Sequence, residues 1–67
     1  MPSNVIRSYS YDPASQALTI TFQSGRRYVY HDVPNALISE MKHAFSKGEF
    51  FNEHIRDRYS FDRLPPE

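Results

Sequence analysis

The chain has 67 residues, ten of them aromatic, no cysteine, and eight basic against eight acidic side chains. A chain this short buries only about 60% of its unfolded surface, so its stability is marginal and it has little room for a deep catalytic pocket. Zero net charge argues against strong nonspecific nucleic-acid binding, and the absence of cysteine excludes disulfides and suits a reducing cytoplasm.

The first half of the chain has the pattern of β-strands. The run IRSYSYD places two tyrosines at period two, whereas Ile6 breaks that parity and predicts an irregularity near Arg7. Residues 12–17 (DPASQA) form a turn, residues 18–22 (LTITF) alternate cleanly, and residues 27–33 (RYVYHDV) are a third β-rich run. Because both connections are short, we predict an antiparallel meander.

The loop between the second and third strands decides which way Tyr28 and Tyr30 face, since a one-residue slip reverses every side chain. A two-residue loop at 24–25 places both rings on the outer face, but it needs positive φ at a serine. A three-residue loop at 23–25 needs positive φ only at the glycine and forms a G1 bulge. We favour the longer loop, which pairs Ile20 with Tyr28 and turns both tyrosines to the core.

The second half begins with a predicted helix. Pro34 is tolerated in the first helical turn, with Asp32 or Val33 as the cap. Apolar residues then recur at helical spacing, and they predict a helix that ends near residue 45. The members of this stripe are Leu37, Ile38, Met41, Ala44 and Phe45.

A second helix is predicted at residues 47–56. Ser46 and Glu49 form an S-x-x-E capping box at its start. Phe51 lies four residues before Ile55, so both side chains should face the core, while the neighbouring Phe50 covers the helix junction or is partly exposed. Residues 60–67 are predicted as a C-terminal tail. The predicted fold is α+β, a three-stranded antiparallel β-meander followed by two helices packed on one face (β-β-β-α-α).

The order of these motifs resembles the KTSC domain, a small family named for its place at the C-terminus of some lysyl-tRNA synthetases and also found as stand-alone bacterial proteins. The markers are Tyr28-Val29-Tyr30, Val33-Pro34 and Ser46-x-Gly48-x-Phe50-Phe51-Asn52. The resemblance covers about residues 3–59 and implies one compact α+β domain. It implies no settled activity and supplies no catalytic residues. RNA binding is suggested for the family, largely by the synthetase context.

Candidate contact residues are basic and lie in two regions. Arginines around the third strand can contact phosphates, and further arginines alternate with aromatic residues at 54–63, a pattern that also binds single-stranded nucleic acid. The leading hypothesis is a non-enzymatic interaction module that binds RNA or a tRNA-related partner weakly. The competing hypothesis, motivated by the aromatic content and the balanced charge, is a protein-binding adaptor or homodimer. The predicted nucleic-acid-binding residues are Arg7, Arg26, Arg27, Arg56 and Arg58.

Other chemistries have little support in the sequence. The three histidines His31, His43 and His54 are separated by twelve and eleven residues, and without cysteine they do not match the spacing of a structural zinc site. We therefore expect no metal and no cofactor. No apolar run approaches the roughly 20 residues of a membrane span, and the first residues lack the apolar segment of a signal peptide, so we expect a cytoplasmic protein.

Overall fold

The structure is a computed structural model that describes residues 6–66. Four antiparallel strands form one sheet in chain order, and two helices lie between the third and fourth strands in the sequence. The predicted α+β fold with a meander and two helices is confirmed. The elements are β1 (Ile6–Asp12), β2 (Ala17–Phe22), β3 (Arg27–Tyr30), α1 (Asn35–His43), α2 (Lys47–His54) and β4 (Phe61–Leu64).

The strand β4 lies in the segment that the sequence predicted as a tail. It pairs antiparallel with β3, so that Phe61 is opposite Tyr30 and Arg63 is opposite Tyr28. The backbone N–H of His31 also donates to the carbonyl of Ser60, at 2.9 Å. A run of four residues followed by two prolines carries almost no strand signal of its own. Its pairing depends on the edge that β3 offers, which only the folded sheet provides.

An irregularity in β1 brings Ile6 to the core side of the sheet. Ile6 is opposite Phe22 and Ser8 is opposite Thr21, so β1 has one extra residue, Arg7, at this point. The position agrees with the break in parity seen in the sequence. A bulge of this kind restores an apolar residue to the face where simple alternation would have placed a polar one.

The connection between β2 and β3 is the three-residue loop that the sequence favoured. The N–H of Phe22 donates to the carbonyl of Arg26, and the N–H of Gly25 donates to the carbonyl of Phe22, both at 2.9 Å. Gly25 has a φ of 91°, which costs a glycine little. Tyr28 is consequently opposite Ile20 in the register of the sheet, and it lies on the same face of the sheet as the core.

The core lies between the sheet and the two helices. The buried cluster joins strand residues to helix residues, which is the arrangement expected when both helices cover one face. Its members are Leu18, Ile20, Tyr30, Val33, Ile38, Met41, Phe51 and Ile55.

The passage from β3 to α1 is fixed by Val33, which is fully buried. Its N–H donates to the carbonyl of Gln16 at 3.0 Å, and its carbonyl accepts the hydroxyl of Tyr11 at 2.6 Å. Pro34 itself, rather than either residue before it, occupies the N-cap position of α1, and its carbonyl accepts the N–H of Leu37. These bonds give Tyr11 and the Val-Pro marker a structural role, since they join the end of β1 to the start of α1.

The prediction that Phe45 belongs to the apolar stripe of the first helix is wrong. The helix ends at His43, and Ala44 has an extended backbone with φ −68° and ψ 141°. The helical period therefore no longer places the next side chain on the buried face, and Phe45 is 87% exposed. After it, the hydroxyl of Ser46 accepts the N–H of Glu49 at 3.3 Å and caps α2, the arrangement that the S-x-x-E pattern predicts.

Candidate functional site

A groove of about 760 Å³ opens between α2 and the half of the sheet formed by β3 and β4. Its apolar surface consists of aromatic rings from the strands and from α2, and we call it the aromatic groove. These rings are Phe22, Tyr28, Tyr30, Phe51 and Phe61. The lining includes strand residues from the core face of the sheet together with residues of α2 and of the turn that follows it.

The rings of the groove contact one another directly. Phe61 lies edge-on to Tyr28, with 5.5 Å between the ring centroids, and it is tilted by 35° to Tyr30 at 5.3 Å. Phe51 lies edge-on to Tyr30 at 5.2 Å. Edge-to-face pairs at these distances are favourable beyond the area they bury. Phe61 nevertheless remains 49% exposed, whereas Phe51 is 2% exposed. One ring of the aromatic cluster is thus open to solvent.

The rim of the aromatic groove is basic. Arg26, Arg56 and Arg63 line it, with Asp57 as the one carboxylate among the lining residues. Burial raises the pKa of Tyr30; the positive charge of Arg56 opposes that rise, while Tyr28 and Asp57 reinforce it. The Tyr30 phenol therefore stays protonated at neutral pH and keeps its O–H as a donor. The groove combines apolar rings, a local excess of positive charge and hydrogen-bonding groups.

A smaller cavity of about 230 Å³ adjoins the groove at the start of β3. Arg26, Arg27 and Arg63 line it, so we call it the three-arginine cavity. Within the described residues, the Nε–H of Arg27 is buried and has no hydrogen-bond partner. Arg26 and Arg63 border both cavities, together with Tyr28.

The structure brings together only part of the predicted contact set. Arg26 and Arg56 lie in the aromatic groove, and Arg27 lies in the neighbouring cavity. Arg7 reaches the carbonyl of Gln23 at 3.3 Å, and the Nε of Arg58 donates to the carbonyl of Glu53 at 3.2 Å. Neither of these two side chains lines the groove.

Most of the groove lining was not among the predicted contacts, and three of these residues are exposed side chains of β4 and α2. Arg63 and Phe61 belong to β4, and Asn52 is an exposed residue of α2. The sequence did carry a signal for the first two, since arginines and aromatic residues alternate at 54–63. That signal did not show that the segment would pair with β3, and so it did not join these residues to Arg26.

Residues 6–66 show neither a cluster of metal ligands nor a helix that could span a membrane. Across residues 6–66, histidine and carboxylate side chains nowhere gather in a group of three able to hold a metal ion. The helices of this part of the chain are also too short and too polar to cross a bilayer.

Comparison with known proteins identifies related sequences over nearly the whole chain. The family model of the KTSC domain matches residues 2–59. An uncharacterized protein of Stutzerimonas stutzeri is 34% identical over 88% of this chain and 83% of its own length. The crystal structure of a KTSC domain protein from Yersinia pestis is similar with a TM-score of 0.87 and 30% identity, over 97% of this chain and 94% of that one.

A lysine–tRNA ligase of Nostoc punctiforme is also similar, with 39% identity over 61 residues. The matched region is 91% of this chain and 11% of the ligase, and a ligase of another Nostoc strain shows 37% identity over a similar fraction. The chain therefore spans about a tenth of the length of these relatives.

Proposed function

This chain belongs to the KTSC domain family, and from that premise we propose that it is a non-catalytic module that binds single-stranded RNA weakly through the aromatic groove. The observation that carries the proposal is the position of Phe61, a half-exposed ring on a groove lining that also includes Arg56 and Arg63. Bases stack on exposed aromatic rings, and arginines beside them contact the phosphates that connect those bases.

The charge distribution supports a weak interaction confined to this groove. The whole chain has zero net charge, so it has no extended field to attract a polyanion. The groove lining, by contrast, has three arginines and one aspartate. Affinity should then depend on a few local contacts and fall with salt as those contacts displace counterions.

The relatives point in the same direction. Similar sequences form about a tenth of the length of lysine–tRNA ligases, enzymes that are named for tRNA. A small module that forms part of such an enzyme would lie near its tRNA. The stand-alone relatives of similar length indicate that the fold is also used without the ligase.

We expect Phe61→Ala to weaken binding of a short single-stranded RNA by about 5- to 100-fold, the effect of losing one stacked base. Fluorescence anisotropy with a labelled ten-nucleotide RNA at low salt measures it. Arg56→Gln should in addition lower the slope of log affinity against log salt by about 0.7, the value for one lost phosphate contact on a single strand.

Two matched variants serve as controls for this experiment. Phe45→Ala removes an exposed ring outside the groove, and Arg58→Gln removes an arginine that is bonded to Glu53. Both should bind RNA as the unmodified chain does. Binding that is undetectable at low salt, or that falls equally in the control variants, would remove the groove as the RNA site.

The competing proposal is an adaptor that binds protein, including a second copy of itself. The observation that favours it is Phe45, an 87% exposed ring between the two helices. If this ring forms a homodimer contact, light scattering at increasing concentration should show a mass that rises toward twice the monomer value. Phe45→Ser should abolish that rise. A mass independent of concentration would contradict the homodimer.

A further inference from the structure

The carboxylate of Asp57 is unfavourable for a groove that binds nothing but phosphates. It lines the aromatic groove together with Arg56 and Arg63, and its negative charge repels a polyanion. The side chain is exposed, and among residues 6–66 it forms no ion pair with either arginine. The carboxylate therefore does not serve to neutralise a neighbouring arginine, and both of its oxygens can accept hydrogen bonds from a ligand.

Asp57 lies near the part of the groove where Tyr30 and Phe61 meet. Burial is the main cause of the raised pKa of Tyr30, and the charge of Arg56 opposes that rise while the charge of Asp57 reinforces it. Both charged groups are therefore close enough to act on the phenol. The ring centroid of Tyr30 lies 5.3 Å from that of Phe61. A base stacked on Phe61 would consequently have these polar groups beside one of its edges.

The polar groups at this position have a definite hydrogen-bonding pattern. An ionised carboxylate such as that of Asp57 only accepts, through two oxygens side by side. The guanidinium of Arg56 only donates, and the Tyr30 phenol, which stays protonated at neutral pH, can donate its O–H. The side chains therefore offer two adjacent acceptors and a donor.

Guanine is the base whose Watson–Crick edge complements this pattern. It has two adjacent donors, N1–H and the N2 amino group, followed by the acceptor O6. Adenine, cytosine and uracil each place an acceptor where guanine has one of these donors, so that a lone pair would face the carboxylate and one hydrogen bond would be lost. Proteins read this edge in single-stranded RNA, where it is not occupied by base pairing.

We propose that the aromatic groove recognises guanine in single-stranded RNA, with the base stacked on Phe61 and its N1–H and N2 amino group donating to Asp57. The inference rests on the proposed RNA-binding function and adds base specificity to it. Asp57 is the residue that discriminates, because an aromatic ring stacks on any base. A free guanosine nucleotide has the same edge, so the experiment has an arm for each source.

The first arm compares three ten-nucleotide RNAs that differ only in one central base, which is guanine, inosine or adenine in an otherwise all-uracil strand. Fluorescence anisotropy at low salt measures the affinities. We expect the guanine strand to bind about 5- to 150-fold tighter than the adenine strand, the range for one bidentate contact. Inosine retains N1–H but lacks the N2 amino group, so its affinity should fall between the two.

Asp57→Asn tests the residue itself. The amide has the shape of the carboxylate, but its nitrogen donates where guanine also donates, so the variant should bind the three strands with nearly equal affinity. Asp62→Asn is the matched control. It removes the same charge from the opposite face of the sheet, where Asp62 lies opposite Val29 and contacts His31, and it should keep the full preference for guanine.

A carboxylate that merely repels phosphates gives a different result. In that case Asp57→Asn should tighten the binding of all three strands by the same factor and leave their ratios unchanged, which would overturn the inference. Equal affinity of the unmodified chain for the guanine and adenine strands would also overturn it. RNA binding by the groove would still stand in either case, provided that Phe61→Ala weakens it.

The second arm uses guanosine monophosphate and adenosine monophosphate as free nucleotides. In ¹⁵N-labelled protein, the backbone N–H resonance of Asp57 should shift further with the guanosine nucleotide, and at higher concentrations than the guanine strand requires. If the free nucleotide binds as tightly as that strand, the assignment of the site to RNA is wrong. If no RNA binds but the guanosine nucleotide is preferred, the guanine site stands and the proposed function falls.

Discussion

Phe51→Ala is expected to lower the free energy of unfolding by about 3–5 kcal/mol, the usual cost of removing a buried phenylalanine ring. Phe51 is 2% exposed and makes edge contacts with Phe22 and Tyr30, at 5.6 and 5.2 Å between ring centroids. It is therefore the part of α2 that joins the helix to the sheet. A chain of this size has a total stability of roughly 3–10 kcal/mol, so the variant should lose about a third or more of it.

Urea denaturation followed by circular dichroism measures this effect. Phe50→Ala is the matched control, because it removes the same ring one position earlier, where the side chain is only partly buried. Phe50→Ala should lower the free energy of unfolding clearly less than Phe51→Ala does. Phe51→Leu keeps most of the apolar volume and should fall between the two. Equal midpoints for the two alanine variants would show that Phe51 does not anchor α2.

The hairpin between β2 and β3 could be predicted from the sequence because its geometry depends on local chemistry. Positive φ is easy for Gly25 and unfavourable for Ser24, which favours a loop of three residues over one of two. The observed φ of 91° at Gly25 and the pairing of Ile20 with Tyr28 agree with that argument. The preference for positive φ at one residue, Gly25, therefore predicted the strand register and the inward direction of Tyr28 and Tyr30.

The end of α1 could not be predicted in the same way. Apolar spacing continues through Phe45, but the helix stops two residues earlier, and Ala44 is extended. Hydrophobic periodicity shows which face of a helix is buried, but it contains no information on where the backbone leaves the helical conformation. Without a glycine or proline at this position, the sequence has no strong stop signal.

The sequence could not predict which residues form the candidate site. Arg26, Arg56 and Arg63 come from a loop, the turn after α2 and β4, and only the folded sheet brings them to one groove. The sequence identified the first two as basic candidates without indicating that they share a surface. The third was part of a noted alternation of arginines and rings, whose pairing with β3 no local pattern could specify.

A chain that ends after Ser60 is expected to be less stable by roughly 2–4 kcal/mol, the sum of a few cross-strand pairs and their backbone hydrogen bonds. The truncation removes all four pairs between β3 and β4, including Tyr30 with Phe61. It also removes the contact of His31 Nε2 with an Asp62 carboxylate oxygen at 2.8 Å, although this pair is exposed and contributes little.

The truncated chain should also associate with itself. Without β4, the run Tyr28-Val29-Tyr30 becomes the edge of the sheet, and an uncovered apolar edge pairs readily with another strand. Thermal unfolding gives the loss of stability, and light scattering gives the mass. A chain that ends after Leu64 retains β4 and is the matched control, with a midpoint expected near that of the full chain.

This truncation also tests whether β4 is part of the stable domain. The family match ends at residue 59, before β4 begins at Phe61, so the matched region does not include the fourth strand of the sheet. If the chain ending at Ser60 has the same unfolding midpoint as the full chain and stays monomeric, β4 does not stabilise the fold and contributes only to the aromatic groove. If it is destabilised and associates, the same four residues complete both the sheet and the aromatic surface. Loss of stability and loss of RNA binding should then separate in Phe61→Ala, which retains the backbone pairing of β4 but lacks the ring on which a base would stack.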